Sequence, residues 1–164
     1  MIFITVGTHE QPFDRLLRCI DKIIEEGYIS EEIICQKGFT EYEPKNYASQ
    51  KLMPYVEIQK NIADARIVVT HGGPASFIAP LSIGKIPIVV PRKKEYNEHV
   101  NNHQVDFCRE VELRNRNIIV AENDEEILDA IINYDSIISK LNVENYSNNK
   151  KFVGDLVKEI ESLF

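Results

Sequence analysis

The sequence predicts an α/β fold in which helices cover a doubly wound, parallel β-sheet, the Rossmann-like arrangement. Short β-branched runs alternate along the chain with segments whose apolar residues recur at helical spacing. One unit, residues 67–104, reads as strand, glycine turn, helix, strand and polar loop. The chain has 164 residues and is 43% hydrophobic, so we expect residues 1–164 to form a single domain with one core.

The first strand–helix unit opens the chain. Residues 2–6 (IFITV) form a strand, and residues 13–24 carry apolar side chains at helical spacing until Gly27 ends the helix. Gly7 and Thr8 follow the strand, and ligands bind where the strands of a parallel sheet end. Their N–H groups and the Thr8 hydroxyl are therefore candidates to contact a phosphate or an acceptor.

His9 lies in the same turn and is a weak candidate for catalysis. Histidine titrates near neutral pH, which permits acid–base chemistry without indicating it, and a turn residue with no chemical role is the simpler interpretation. The sequence points to no other general base, so it leaves the catalytic residue unknown.

Residues 33–35 (IIC) form a second short strand, and residues 36–39 turn out of it. Residues 40–51 are polar and aromatic, which is typical of an exposed loop. Residues 52–56 contain Pro54 and are predicted to be extended near a sheet edge. Residues 57–65 then read as a helix with Ile58 and Ile62 facing inward.

The central unit contains the strongest candidate for a ligand site. Residues 67–70 form a buried strand that stops at the turn His71-Gly72-Gly73-Pro74-Ala75-Ser76, and a helix then runs to Gly84. Paired glycines can take unusual dihedrals and let a ligand approach the main chain, while Ser76 is a suitable N-cap. Because free N–H groups at a helix start attract anions, we expect this turn to bind a phosphate.

A second buried strand, residues 86–90, leads through Pro91 into a polar loop, residues 92–104. Four polar residues of this loop lie at the same edge of the predicted sheet as the glycine turn: Glu98, His99, His103 and Gln104. The two histidines lack the glutamate of a zinc-protease helix, so we expect no metal site.

The remaining chain alternates in the same way, with a strand at residues 118–120 and a helix at residues 127–132. Before that strand, one set of residues predicts a helix by its spacing: Val100, Gln104, Phe107 and Val111. A terminal helix, about residues 143–164, carries an apolar stripe from Phe152 to Leu163. This stripe either packs on its own domain or docks a partner, and without a partner we expect a homo-oligomer.

Composition excludes several classes of protein. The net charge of −7 argues against nucleic-acid binding, and no long basic run offers a patch for an anionic membrane. No apolar run approaches the length of a membrane span and no signal peptide opens the chain, so we expect a cytoplasmic protein. Cys19, Cys35 and Cys108 are odd in number and widely spaced, which predicts buried thiols rather than disulfides or zinc ligands.

The C-terminal, nucleotide-sugar-binding half of family-28 glycosyltransferases is similar to this chain in the joint pattern HGGPASFIAPLSIGKIPIVVP followed by EHVNNHQ, and in the opening residues 2–14. The chain most resembles small single-domain subunits of bacterial capsule and exopolysaccharide synthesis. It also resembles the cytosolic subunit of the eukaryotic two-part UDP-N-acetylglucosamine transferase. The resemblance covers about residues 1–125.

The resemblance implies the donor half of a GT-B glycosyltransferase. In this family Tyr55 would lie where the uracil ring is held, and the Gln-x-Gly that begins at Gln36 would line the donor cleft. Many members carry an acidic residue that grips the ribose, and Ala79 stands in its place here, which leaves Glu98 or Gln104 for that contact. The other implied donor contacts are Gly7, Thr8, residues 71–76, His99 and His103.

The implied reaction transfers a hexose from a UDP-sugar to a lipid-linked saccharide in capsular or exopolysaccharide synthesis. Galactose is favoured and N-acetylglucosamine comes second. The UDP-sugar is a substrate and no cofactor is required, while a membrane-anchored, acceptor-binding subunit would recruit the chain to the inner face of the membrane. The alternatives are a non-catalytic nucleotide-binding or regulatory module, and a hydrolase, for which Glu98 and Asp106 make an unconvincing pair.

Overall fold

A computed structural model describes residues 1–141 of the chain. The strands are β1 (Ile2–Thr5), β2 (Ile33–Gln36), β3 (Ala48–Gln50), β4 (Ile67–His71), β5 (Ile88–Val90) and β6 (Ile119–Val120). The α-helices are α1 (Asp14–Glu25), α2 (Tyr55–Asp64), α3 (Pro74–Ser82), α4 (His103–Asn115), α5 (Asp124–Ile132) and α6 (Tyr134–Ile138). A short 3-10 helix, Lys94–Tyr96, interrupts the loop before α4.

The six strands form one parallel sheet in the order β3-β2-β1-β4-β5-β6. The chain starts in the middle at β1, moves outward to β3, crosses back to β4 and then moves outward to the opposite edge. The direction of winding thus reverses between β1 and β4, where open α/β sheets bind their ligands. The predicted fold class, a doubly wound parallel sheet, is confirmed.

Alternate residues of β1 pack on opposite faces of the sheet, as the pleat requires. Ile2 and Ile4 join the larger core, which includes residues of α1 and α5, whereas Phe3 packs with Val68 and Ile62 on the other face. Both faces are therefore covered, which explains why the central strands are apolar throughout rather than alternating. This packing makes the β1–β4 region a rigid base for the loops that follow it.

The edge strand of the sheet lies a few residues before residues 52–56, the segment predicted to be extended near the edge. The edge strand is β3, inside the segment predicted as a loop, and it forms through main-chain pairing with β2. Residues 52–54 connect β3 to α2, which begins at Tyr55, two residues earlier than predicted. Pro54 stands just before this helix, where its fixed φ suits the entry of the chain and its missing N–H costs no helical bond.

Two helix starts also differ from prediction. Gly73, not Ser76, is the N-cap of α3, and Pro74 is its first residue. Helix α4 begins at His103 and buries Val105 and Cys108. Two residues of the predicted stripe stay exposed, Val100 by 68% and Phe107 by 41%.

The prediction of buried, free thiols is confirmed for all three cysteines. Within residues 1–141, none of the helices has the length and apolar character needed to cross a bilayer. The predicted docking helix, about residues 143–164, lies outside the described residues.

Candidate functional site

A cleft of about 650 Å³ opens where β1, β2 and β4 end, at the reversal of winding. Its volume is in the range typical of small-molecule sites. The starts of α2 and α3 and the loop before α4 form its walls. Most residues predicted for the site line it: Gly7, Thr8, His9, Tyr55, His71, Gly73, Pro74, Ala75, Ser76, His99 and Gln104.

The His71 side chain lies between two glycines from different strand ends. A Cβ added to Gly7 would overlap the imidazole and lie 2.9 Å from its Cδ2, and one added to Gly73 would overlap it from the other side, 3.0 Å from Nδ1. Gly73 has an ordinary φ of −76°, and Gly72 has no positive φ either, so the expectation of unusual dihedrals at this pair is wrong. Gly72 and Gly73 are needed for space, whereas Gly7, with a φ of +74°, is needed for space and for its left-handed backbone.

Gly72 lies behind the cleft rather than in its lining. A Cβ there would come within 2.9 Å of the Cys108 sulfur and 3.0 Å of Gln104 Oε1, both on α4. The absence of a side chain at Gly72 therefore lets α4 approach the turn closely. This approach places the Gln104 carboxamide beside the cleft.

His71 is held in its neutral form. Burial, with smaller contributions from the positive charge of Arg92 and from the nearby His9, lowers the pKa of His71 to about 4. The Gly73 N–H donates to Nδ1 at 3.0 Å, so the ring proton belongs on Nε2, which lies 2.9 Å from Ser76 Oγ. Ser76 thus accepts from His71, and its own hydroxyl hydrogen is available to a ligand.

Helix α3 begins inside the cleft, with Pro74, Ala75 and Ser76 in its lining. The N-terminus of a helix carries a partial positive charge, which favours a phosphate. Pro74 has no N–H, the Gly73 N–H donates to His71 and the Ser76 N–H donates to the Gly73 carbonyl, so Ala75 supplies the main-chain donor at this helix start. With the Ser76 hydroxyl beside it, this corner of the cleft is suited to an anion.

His9 and His99 also line the cleft. Their rings stack with centroids 5.1 Å apart and planes inclined by 26°. His9 Nε2 lies 2.9 Å from Gln11 Oε1, which fixes the ring's orientation. The cleft thus brings together imidazoles from β4, the β1 turn and the loop before α4. Among residues 1–141, no group of three or more His, Cys, Asp or Glu side chains is arranged to hold a metal ion.

Two predicted contacts lie away from the cleft. Glu98 is only 2% exposed, and its carboxylate accepts from Arg15 Nε at 3.0 Å, Arg15 Nη2 at 3.1 Å and the Lys93 N–H at 3.0 Å. His103 is exposed on the first turn of α4. Ala79 and Gln104 both line the cleft, whereas Glu98 does not. Of Glu98 and Gln104, Gln104 is therefore the better placed for a ribose contact.

Gln36, at the end of β2, supplies a buried acceptor. Gln36 is only 2% exposed. Its Nε2 donates to the Gly7 carbonyl at 3.4 Å, and its Oε1 has no partner within the described chain. Buried amide oxygens are nearly always hydrogen-bonded in native proteins. Gln36 lines the cleft, and this oxygen is enclosed by protein.

Arg92 is the residue that sequence reasoning missed. It falls in a segment predicted as a polar loop, yet it is fully buried beneath the cleft residues. The charge of an arginine normally predicts exposure. The signal that could have found it is its position, directly after Pro91 at the end of a buried strand.

A cleft at the switch point of a doubly wound parallel sheet, with a helix N-terminus inside it, defines an α/β domain of the kind that binds nucleotides. Residues 1–160 match the family model for the glycosyltransferase family 28 C-terminal domain. The chain belongs to this family and is a domain of the glycosyltransferase class. A comparison with curated proteins found no significant match.

Among solved structures, the chain is similar to the glycosyltransferase SnogD from Streptomyces nogalater, with 15% sequence identity and a TM-score of 0.46. The similarity covers 93% of this chain and 42% of SnogD. The chain thus spans less than half the length of that protein.

Neighbouring positions on α4 offer a matched test of the cleft. We expect Gln104→Ala to weaken binding of a nucleotide in the cleft about tenfold, which corresponds to roughly 1.4 kcal/mol, because the variant loses a carboxamide that lines the cleft. His103→Ala should leave binding unchanged, since this side chain is exposed outside the lining. Isothermal titration calorimetry on both variants measures the difference. Equal losses of binding in the two variants would mean that the ligand also contacts His103, outside the cleft lining.

Proposed function

We propose that this chain is the donor-binding, catalytic subunit of a UDP-sugar-dependent hexosyltransferase in capsular or exopolysaccharide synthesis. It would correspond to the C-terminal half of a GT-B enzyme and transfer galactose, or secondarily N-acetylglucosamine, to a lipid-linked saccharide. The observation that carries the proposal is the start of α3 in the cleft, beside a neutral His71 and the free hydroxyl hydrogen of Ser76.

The diphosphate of the donor fits this corner. The Ala75 N–H at the start of α3 and the Ser76 hydroxyl supply donors, and His9 and His99 supply imidazoles in the same cleft. As the bond to the sugar breaks, negative charge grows on the leaving UDP, and donors fixed in advance stabilise that charge. Because these groups belong to the chain itself, the proposed reaction needs no cofactor.

The nucleoside fits the side of the cleft formed by α2. Tyr55 is 70% exposed at the start of this helix, and Ile58 and Ile62 line the cleft behind it. Together they offer an apolar surface for a flat base. Gln104, which lines the same cleft as Ala79, would contact the ribose.

The acceptor side supports dependence on a partner. Within the described chain, the residues that line the cleft include no aspartate or glutamate, so His9 is left as a weak candidate for deprotonating the acceptor hydroxyl. We infer that a membrane-anchored, acceptor-binding subunit completes the site and recruits the chain to the inner face of the membrane. The same lack of paired carboxylates disfavours a hydrolase. It also motivates the alternative of a non-catalytic nucleotide-binding or regulatory module.

Two measurements test the proposal. Calorimetry should show UDP binding that CDP, ADP and GDP do not match, because the site is proposed to select the uracil base. Transfer of labelled galactose from UDP-galactose to a lipid-linked acceptor should then require both this chain and membranes that contain the partner subunit. UDP binding without transfer in the complete mixture would favour the non-catalytic module. Absence of UDP binding would refute the donor site itself.

A further inference from the structure

We propose that Arg92 is a positioning residue, which ties together the two loops that carry His9 and His99 and so sets the stacked imidazoles at the cleft. The inference rests on the proposed function in one respect, since it takes UDP as the ligand that these imidazoles meet. Arg92 itself does not line the cleft, so it acts through the residues that do.

The guanidinium of Arg92 bridges two separate parts of the chain. Nη2 donates to the Val6 carbonyl at 3.0 Å, and Nη1 donates to the carbonyls of Gln11 at 2.7 Å and Pro12 at 3.3 Å, all in the loop after β1. Nη1 also donates to the Glu98 carbonyl at 3.2 Å, in the loop after β5. A planar group with several donors in a fixed fork is suited to hold such a set of acceptors.

Burying the charged guanidinium of Arg92 costs free energy, which indicates a role other than stabilising the fold. Arg92 is 0% exposed, and it lies over the Phe13 ring with its Cζ 4.7 Å from the centroid. The carboxylate of Glu98 is bonded to Arg15 and to the Lys93 N–H instead. Burial lowers the pKa of Arg92 to about 10, so the cation persists at neutral pH. A buried cation held mainly by carbonyls adds less stability than an apolar side chain of the same size would.

A continuous set of hydrogen bonds leads from Arg92 to the cleft. The Gln11 residue whose carbonyl Arg92 holds also places its Oε1 at 2.9 Å from His9 Nε2, and its Nε2 donates to the Asn97 carbonyl at 3.1 Å. The main-chain N–H of Arg92 donates to Gln104 Oε1 at 3.1 Å. His9, His99 and Gln104 thus depend on one buried residue for their relative positions.

Arg92→Lys tests the inference, because it keeps the charge but replaces the fork with a single ammonium that cannot span both loops. In the folded variant we expect the NMR cross-relaxation between the His9 and His99 rings to disappear, and the dissociation constant for UDP to rise about tenfold. Arg66→Lys is the matched control, since Arg66 makes side-chain bonds to Glu31 and Asp135, away from the cleft. It should lower the melting temperature and leave both ring contact and UDP affinity unchanged.

The hydrogen bonds of the Arg92 guanidinium to the two loops are called the clamp below. Gln11→Met provides a second variant, which removes the link between the clamp and His9 and leaves the buried cation unchanged. If Arg92→Lys does not fold, Gln11→Met decides, and it should weaken the ring contact and UDP binding by several-fold. The inference is overturned if the folded Arg92→Lys protein, or Gln11→Met in its place, keeps the ring contact and UDP affinity of the wild type. Failure of the wild type to bind UDP would instead refute the proposed function, and the ring contact would still test the clamp.

Discussion

Gly73→Ala should weaken UDP binding by at least about a hundredfold while the protein stays folded. The added Cβ would overlap the His71 ring and lie 3.0 Å from its Nδ1. Gly7 closes the other side of that ring, so His71 can yield only by leaving its place or by shifting the start of α3. Either movement separates the groups that we propose to hold the diphosphate.

Gly27→Ala is the matched control for this substitution. Gly27 has a φ of +79°, and a Cβ there meets no described atom within 4 Å. Alanine at Gly27 therefore meets backbone strain of roughly 1–2 kcal/mol but no collision. At Gly73, with φ −76°, the reverse holds. Calorimetry should show that Gly73→Ala loses UDP binding, and thermal melts should show that Gly27→Ala loses stability. Wild-type UDP affinity in Gly73→Ala would show that the donor binds elsewhere.

Between pH 7 and pH 4, the wild type should lose about 3 kcal/mol more unfolding free energy than a His71→Asn variant loses. Burial lowers the pKa of His71 from 6.5 to about 4 in the folded chain. Below pH 6.5 the unfolded chain binds a proton that the folded chain refuses, so the stability present at neutral pH declines as the pH falls toward 4. Asparagine can still accept from the Gly73 N–H but does not titrate.

Urea unfolding at intervals from pH 8 to pH 4 measures this difference. His103→Ala serves as the control for the removal of a histidine, because this side chain is exposed outside the cleft lining. Parallel curves for the wild type and His71→Asn would mean that His71 takes up its proton in the folded state at ordinary pH. The neutral ring, and the hydrogen bond in which Nδ1 accepts from the Gly73 N–H, would then be wrong.

The predicted fold depends on local patterns that act over a few residues. Residues 2–6 and 67–70 are apolar enough to be recognised as central strands, because a strand covered on both faces has no polar side. β3 escaped prediction for the opposite reason. Ala48, Ser49 and Gln50 have no strand pattern, and their extended form depends on hydrogen bonds to β2, which lies elsewhere in the chain. Pairing of this kind leaves no mark on the sequence of an edge strand.

The glycine turn shows how far the sequence reaches into the site. The turn, its helix and the polar residues of the next loop were predicted to meet at one edge of the sheet, and His71, Ser76 and Gln104 do meet there. The unusual dihedrals expected at Gly72 and Gly73 are wrong. The two glycines leave room for the imidazole of His71 and the approach of α4, and these neighbours are set by packing between elements.

The sequence by itself determined the class of fold, the strand ends that carry the site and most of the residues around the cleft, because hydrophobic periodicity and turn residues act locally. Only the tertiary structure decided which neighbours in one loop face the ligand. It buried Arg92 and Glu98 while leaving His99 and Gln104 at the cleft, since each side chain's environment depends on loops that are distant in sequence. The hydrogen bonds of Arg92 to Val6, Gln11 and Pro12 require β1 and β5 to lie in the same sheet. No local sequence pattern could therefore predict them.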